Sequence, residues 1–174
     1  MLARKTRVFI PLALALLLTD CATKRLAEEH LPRGYPQQVV DDVLRFTLSY
    51  NTGAAMSSSL GRFSRVGFSV IAVVMLVVLL RVLRTAPPDD AWVGGALALI
   101  CGGAVGNLLD RLRSPNGVVD FIDVGIGTHR FWIFNVADMG VTVGAALLAF
   151  LLWRRGDLPP APMPPPSSPT PSAP

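Results

Sequence analysis

Apolar residues fall in four long runs along this chain, and between the runs the pattern changes to alternation or to turn residues. A hydrocarbon core of about 30 Å asks for roughly 20 residues of helix, fewer where flanking side chains snorkel. The runs lie at about residues 8–26, 63–83, 91–109 and 135–153. The first is purely apolar only as far as Thr19 and must take in Asp20. The second is uncharged from 66 to 80, the third is uncharged throughout, and the fourth carries Asp138 in its first turn. Residues 43–51 alternate instead. Leu44, Phe46, Leu48 and Tyr50 fall on one face and Arg45, Thr47 and Ser49 on the other, which predicts a half-buried strand. Further strands are predicted at 118–124 and 130–134, separated by Gly125, Gly127 and Thr128. From 27 to 42, Pro32, Gly34 and Pro36 break any regular pattern.

Composition agrees with a membrane chain. Of 174 residues, 51% are hydrophobic and only 16% charged, short of the quarter or so that covers a soluble domain. The net charge of +4 does not point to nucleic acid, because the Lys and Arg residues flank apolar runs rather than cluster on a face. Cys21 and Cys101 both sit inside apolar runs and make no disulfide framework; His30 and His129 are too isolated for a metal site. The N-terminus, with Arg4, Lys5 and Arg7 ahead of an apolar stretch and Cys21, has the look of a secretory signal. Asp20 stands where cleavage before Cys21 would need a small residue, so the first span is expected to be retained. Four spans put both termini on one side, and the basic residues 4, 5, 7, 81, 84, 154 and 155 on short flanks make that side cytoplasmic. The expected fold class is thus a mainly α membrane protein of four transmembrane helices (residues 1–157) with a small extracytoplasmic β-sheet. Residues 158–174, with nine prolines, are expected to form an extended, disordered tail.

Charge within or beside a span is costly and marks a candidate site. Here Asp20 and Lys24 end span one, Asn107, Asp110 and Arg111 end span three, Asn135 and Asp138 begin span four, and all face the side of the strands and Asp120. Asp20, Thr23 and Lys24 share a helical face, as do Asn107, Asp110 and Arg111. The pairs Gly102/Gly106 and Gly140/Gly144 are small-residue stripes that let helices approach closely. Each polar residue also has an ordinary explanation. Asn135 and Asp138 fit an N-cap and its partner, Arg111 complements a helix C-terminus, Asp20 and Lys24 make an intrahelical ion pair, and Asp120 sits on an exposed strand face. Those readings leave unexplained why four acids, two amides and two bases converge on one membrane face.

The chain holds no His-Glu-x-x-His, no Cys/His cluster and no phosphate-binding glycine loop. A Ser-Lys dyad would have to be drawn from Ser57, Ser58 or Ser59 with Lys24. Paired carboxylates remain. Two that share a proton can polarise a water and protonate an amine leaving group. The rival is a small four-span transporter or proton-conducting protein, which calls for acids strung across the bilayer depth.

The segments Asp20-Cys-Ala-Thr-Lys24, Asn51-Thr-Gly-Ala-Ala55, Gly106-Asn-Leu-Leu-Asp-Arg111, Val118-Val-Asp-Phe-Ile-Asp123 and Phe134-Asn-Val-Ala-Asp138 resemble, in order and spacing, the motifs of lipoprotein signal peptidase (signal peptidase II). The resemblance covers about residues 8 to 153. It implies a four-span aspartic endopeptidase of the bacterial cytoplasmic (inner) membrane, with an extracytoplasmic β-cradle, that cuts diacylglyceryl-prolipoproteins just before the lipidated cysteine. By motif position Asp120 and Asp138 are the catalytic pair, with Asn51, Gly53, Asn107, Arg111 and Asn135 lining and ordering the site and Asp20, Lys24 and Asp110 in supporting contacts. No metal or organic cofactor is implied, and nothing demands more than a monomer. Met56 departs from the family, which commonly has an aromatic there, and the proline-rich tail lies outside the pattern. Asp138, at a helix N-terminus, is expected to hold the negative charge, leaving Asp120 protonated.

Overall fold

A computed structural model describes residues 2–52 and 64–156; the Gly53 and Ser57–Ser59 positions and the proline-rich tail lie outside the described residues. Four helices, α1 (Arg4–His30), α2 (Ser64–Thr85), α3 (Ala91–Arg113) and α4 (Val136–Arg155), are each long and apolar enough to cross a membrane. Each overruns its apolar run, because charged residues beyond the hydrocarbon continue the helix: α1 starts at Arg4 and reaches His30, and α3 runs on to Arg113. Between them lie β1 (Gln37–Val40), β2 (Leu44–Asn51), β3 (Val118–Ile126) and β4 (His129–Arg130), forming one antiparallel sheet in that order.

Helix α3 is the centre of the bundle, with α1 and α4 packed along it and α2 leaning chiefly on α3. Small residues make this possible. A Cβ at Gly102 would lie 2.8 Å from the Ala13 carbonyl of α1, and one at Gly144 would lie 2.7 Å from the Ala96 carbonyl of α3. The glycines therefore face different neighbours: Gly102 and Gly140 meet α1, whereas Gly103 and Gly144 bring α3 and α4 together. Ala96, Leu97 and Ala98 are fully buried as a result.

The two ends of the bundle differ. At one end Lys5 donates its Nζ to the carbonyls of Arg84 and Ala86, satisfying the open C-terminus of α2, and Arg155 pairs with Asp90, the N-cap of α3, at 2.7 Å. The other end carries the sheet. Leu48, Val119 and Phe121 pack on Ala27 near the end of α1, with Val136 of α4 against the same cluster.

Three local expectations are revised. The stretch expected to be irregular includes β1, an exposed strand held by main-chain pairing to β2, which needs no side-chain pattern. The strand expected at 130–134 pairs only through His129 and Arg130, and Phe134 rejoins Ile122 as a single bridge. In β2 a register shift between Phe46 and Ser49 turns Thr47 inward beside Leu48, so the polar face is covered as well.

Candidate active site

At the sheet end, Lys24 is buried to 1% exposure, a state an ammonium tolerates only with its charge matched and its hydrogens bonded. Its Nζ lies 2.7 Å from Asp20 Oδ2, 2.9 Å from Asp110 Oδ2 and 2.8 Å from Asn107 Oδ1, one acceptor for each hydrogen. Both aspartates also accept from backbone, and Asp110 Oδ1 pairs with Arg113 of the same helix at 3.1 Å. Asp20 Oδ1 accepts from Ala137 N–H in the first turn of α4 (2.9 Å), and Asp110 Oδ2 accepts from Val119 N–H of β3 (3.2 Å). A Cβ at Gly106 would run into the Asp20 carboxylate, so glycine is required for that close approach. This cluster ties α1, α3, α4 and β3 together.

The cation also decides which way an amide points. Lys24 cannot accept, so Asn107 turns Oδ1 to it and its Nδ2 is left to donate to Asp138 Oδ1, at 2.8 Å. Asn135 is fixed similarly. As N-cap of α4 its Oδ1 accepts from Asp138 N–H (2.9 Å), while its own N–H donates to Asp138 Oδ2 (3.2 Å), completing a capping box. Its Nδ2 then faces Asp120 Oδ1 at 2.7 Å, with the Val119 carbonyl and Asn107 Oδ1 slightly farther off. Asn51, at the end of β2, bonds Asp120 from another side.

Asp120 and Asp138, 18 positions apart in sequence and on different elements, line one cavity of about 740 Å³ together with Asn51. Asp120 sits on β3 opposite Ser49, and burial in that position, then the nearby Asp138 charge, push its carboxyl up to about 7; the bonds from Asn51 and Asn135 oppose the rise. Asp138 differs in having both oxygens bonded by donors at a helix N-terminus, where negative charge is favoured. Arg111 bonds neither acid. Its Nη1 donates to the Asn107 carbonyl of its own helix, and its guanidinium lies 5.9 Å over the Phe68 ring of α2, with its charge directed toward Asp138, Asp120 and Asp110.

Residues 12–154 match the family described as signal peptidase (SPase) II. The chain belongs to the signal peptidase II family. It is 41% identical to the lipoprotein signal peptidase of Pseudomonas fluorescens over 149 residues, covering 84% of this chain and 87% of that one. It is 38% identical to that of Geobacillus kaustophilus over 137 residues, 79% and 87% of the two chains. Among solved structures, a bacterial membrane enzyme determined by the in meso method at 2.3 Å resolution aligns with a TM-score of 0.76 at 29% identity, over 84% of this chain and 88% of that one. A second such enzyme, at 1.9 Å resolution, aligns at 0.74 and 30% identity.

This signal peptidase II chain is accordingly a multi-pass bacterial membrane protein. The rest of its cavity is mostly apolar: Phe131, Trp132, Ile133 and Phe134 on one side, Met139 and Val143 of α4 on another, with the Thr142 hydroxyl between them in sequence. No sequence motif marks these residues. Thr142 was within reach, since it follows Asp138 at i+4 and shares its helical face. The 131–134 wall was hidden by its assignment to a strand.

Proposed function

We propose that this protein removes signal peptides from diacylglyceryl-modified prolipoproteins, cutting before the lipidated cysteine by water activation between Asp120 and Asp138. Family membership supports the peptidase activity and the prolipoprotein substrates, since the relatives are lipoprotein signal peptidases. The observation that carries the mechanism is that two carboxyls from separate elements line one cavity, and that burial and the neighbouring acid push one of them, Asp120, up to about 7.

In this reading the resting dyad holds one proton, on Asp120, and Asp138 carries the charge. A water between them gives a proton to Asp138 as its oxygen attacks the scissile carbonyl carbon, while Asp120 protonates the carbonyl oxygen. The tetrahedral diol collapses when the C–N bond breaks; the proton held by Asp138 passes to the departing nitrogen, and a diol hydroxyl returns its proton to Asp120. Asn107 and Asn135 keep donors aimed at the acids through the cycle. No metal or organic cofactor takes part, and one copy of the chain suffices. The apolar walls of the cavity fit a substrate that arrives from lipid. The site lies on the extracytoplasmic side and both termini are cytoplasmic, supported by the basic residues around the opposite end of the bundle. The buried acids gather at the sheet end rather than along the spans, which does not favour the transporter reading.

The test is cleavage of a lipidated prolipoprotein, with an unlipidated control, by purified protein and by Asp120→Asn and Asp138→Asn. Each substitution is expected to lower cleavage about 10²–10⁴-fold while the protein stays inserted. A variant that keeps wild-type cleavage removes that acid from the dyad.

A further inference from the structure

Residues 131–134 are the wall of the acid-lined cavity, yet little packs behind them. Phe131 and Phe134 also border a second, open hollow of about 560 Å³, lined as well by Val124, Gly125, Ile126 and His129. With open space on both faces, the wall depends on how its ends are tied. At the far end Phe134 exchanges main-chain bonds with Ile122, at 2.8 and 3.0 Å. At the near end Phe131 N–H donates to the Val124 carbonyl at 2.8 Å, and the residue just before it is Arg130.

Arg130 grips three acceptors. Its Nε meets Asp123 Oδ1 at 2.9 Å, Nη2 meets the Asp123 carbonyl at 2.9 Å, and Nη1 meets the Asp42 carbonyl at 2.5 Å. Those acceptors are themselves held. Asp123 Oδ2 accepts from the Thr47 hydroxyl at 3.1 Å, and the Asp42 carboxylate accepts from Gly127 N–H at 2.6 Å and pairs with Arg45. One side chain thus ties the β3–β4 hairpin to the turn between β1 and β2. Its stem passes over Gly125, where an added Cβ would run into the His129 carbonyl and lie 2.7 Å from Arg130 Cα and 2.9 Å from its Cδ.

We propose that Arg130 is a positioning residue for the peptidase site: its clamp on Asp123 and Asp42 sets where the 131–133 wall stands, and so how large a substrate side chain fits beside the acids. The proposal rests on the peptidase reading for its substrate term only. Arg130 touches neither acid and acts through the wall. A lysine in its place keeps the charge but has a single nitrogen, which cannot reproduce a fork across two backbone carbonyls and a carboxylate.

The experiment uses full-length protein in which Trp92→Phe and Trp153→Phe leave Trp132, inside the wall, as the sole tryptophan. Arg130→Met and Arg130→Lys are made in that background; the second keeps the charge and removes the fork. Acrylamide quenching of Trp132 reads the wall without any chemistry. Cleavage of two lipidated prolipoproteins, with a small or a large residue beside the scissile bond, reads the cavity. Trp132 is already 62% exposed, so each variant is expected to change its quenching in either direction. Each is also expected to raise KM for the small substrate about 10-fold with kcat within about 2-fold, and discrimination between the substrates falls by about 10-fold. Unchanged quenching in the folded variants overturns the proposal. So does a fall in kcat at constant KM, or Arg130→Lys behaving as wild type. Should Arg130→Met fail to fold, Arg130→Lys decides. If the parent protein cleaves nothing, the peptidase reading fails instead, and the quenching arm still decides whether Arg130 places the wall.

Discussion

At the scale of single residues, two aspartates on one cavity are held by different neighbours, and the difference has measurable consequences. Asp120 is buried on β3 and its carboxyl titrates near 7, against an ordinary value of 3.8. Burial therefore penalises its charged form: the fold bears no cost below about pH 4, a growing cost from about 4 to 7, and the full cost above. Asp120→Asn keeps an oxygen for Asn135 Nδ2 and removes the charge, so its Tm should exceed wild type at pH 8 and match it at pH 4. An equal gain at both pH values contradicts this. If Asp120 supplies the proton, cleavage by wild type should also fall as pH rises through about 7, followed as initial rate across pH. Lys24 makes the opposite prediction, because removing it leaves the buried Asp20 carboxylate without its cation, whereas Asp110 keeps only Arg113 at its other oxygen. Lys24→Met should cost about 3–5 kcal/mol, read as a lowered melting temperature in micelles, and Asp20→Asn added to it should restore part of the loss.

At the scale of elements, the separation of α3 and α4 determines whether Asn107 reaches Asp138, and glycine sets that separation. At Gly144 a methyl group would lie 2.7 Å from the Ala96 carbonyl and 2.9 Å from Leu99 Cβ, atoms that cannot step aside. Gly144→Ala should therefore destabilise by about 1–3 kcal/mol and reduce cleavage, measured as thermal stability and turnover of the same preparation. What the amino-acid pattern discloses at this scale is whatever lies within a helical turn. The i, i+4 spacing of Asp20 and Lys24 announces their ion pair, and Asn135 with Asp138 announces a capping box; both are present. The spans are legible because hydropathy over twenty residues leaves few alternatives, although it stops short where charged residues prolong the helices. Contacts across the fold are not written locally. Nothing near Lys24 says that it reaches Asn107, 83 positions on, and thereby orients an amide toward Asp138. Strand β1 escapes and the strand expected at 130–134 shortens to His129–Arg130 for a related reason, since main-chain pairing depends on the partner strand rather than on their own side chains.

At the scale of the whole molecule, the bundle has one end tied by Lys5, Asp90 and Arg155 and another capped by the sheet and the acids. The proposed orientation puts the first end in the cytoplasm. Single cysteines at the exposed positions Asp89 and Asn116, in a Cys21→Ser, Cys101→Ala background, should respond oppositely to a membrane-impermeant maleimide. Asn116→Cys is expected to label in intact spheroplasts and Asp89→Cys only after permeabilisation; the reverse pattern inverts the protein.

The capping box at the start of α4 carries one consequence further. Asp138 is the third residue of a membrane-crossing helix, and its carboxylate is what closes that helix's first turn. The acid is therefore moored to one level of that helix, and if it belongs to the proposed dyad it would work as a ruler. A prolipoprotein whose apolar segment is one helical turn longer would offer its susceptible bond about 5.4 Å off that plane, beyond the reach of a water held there.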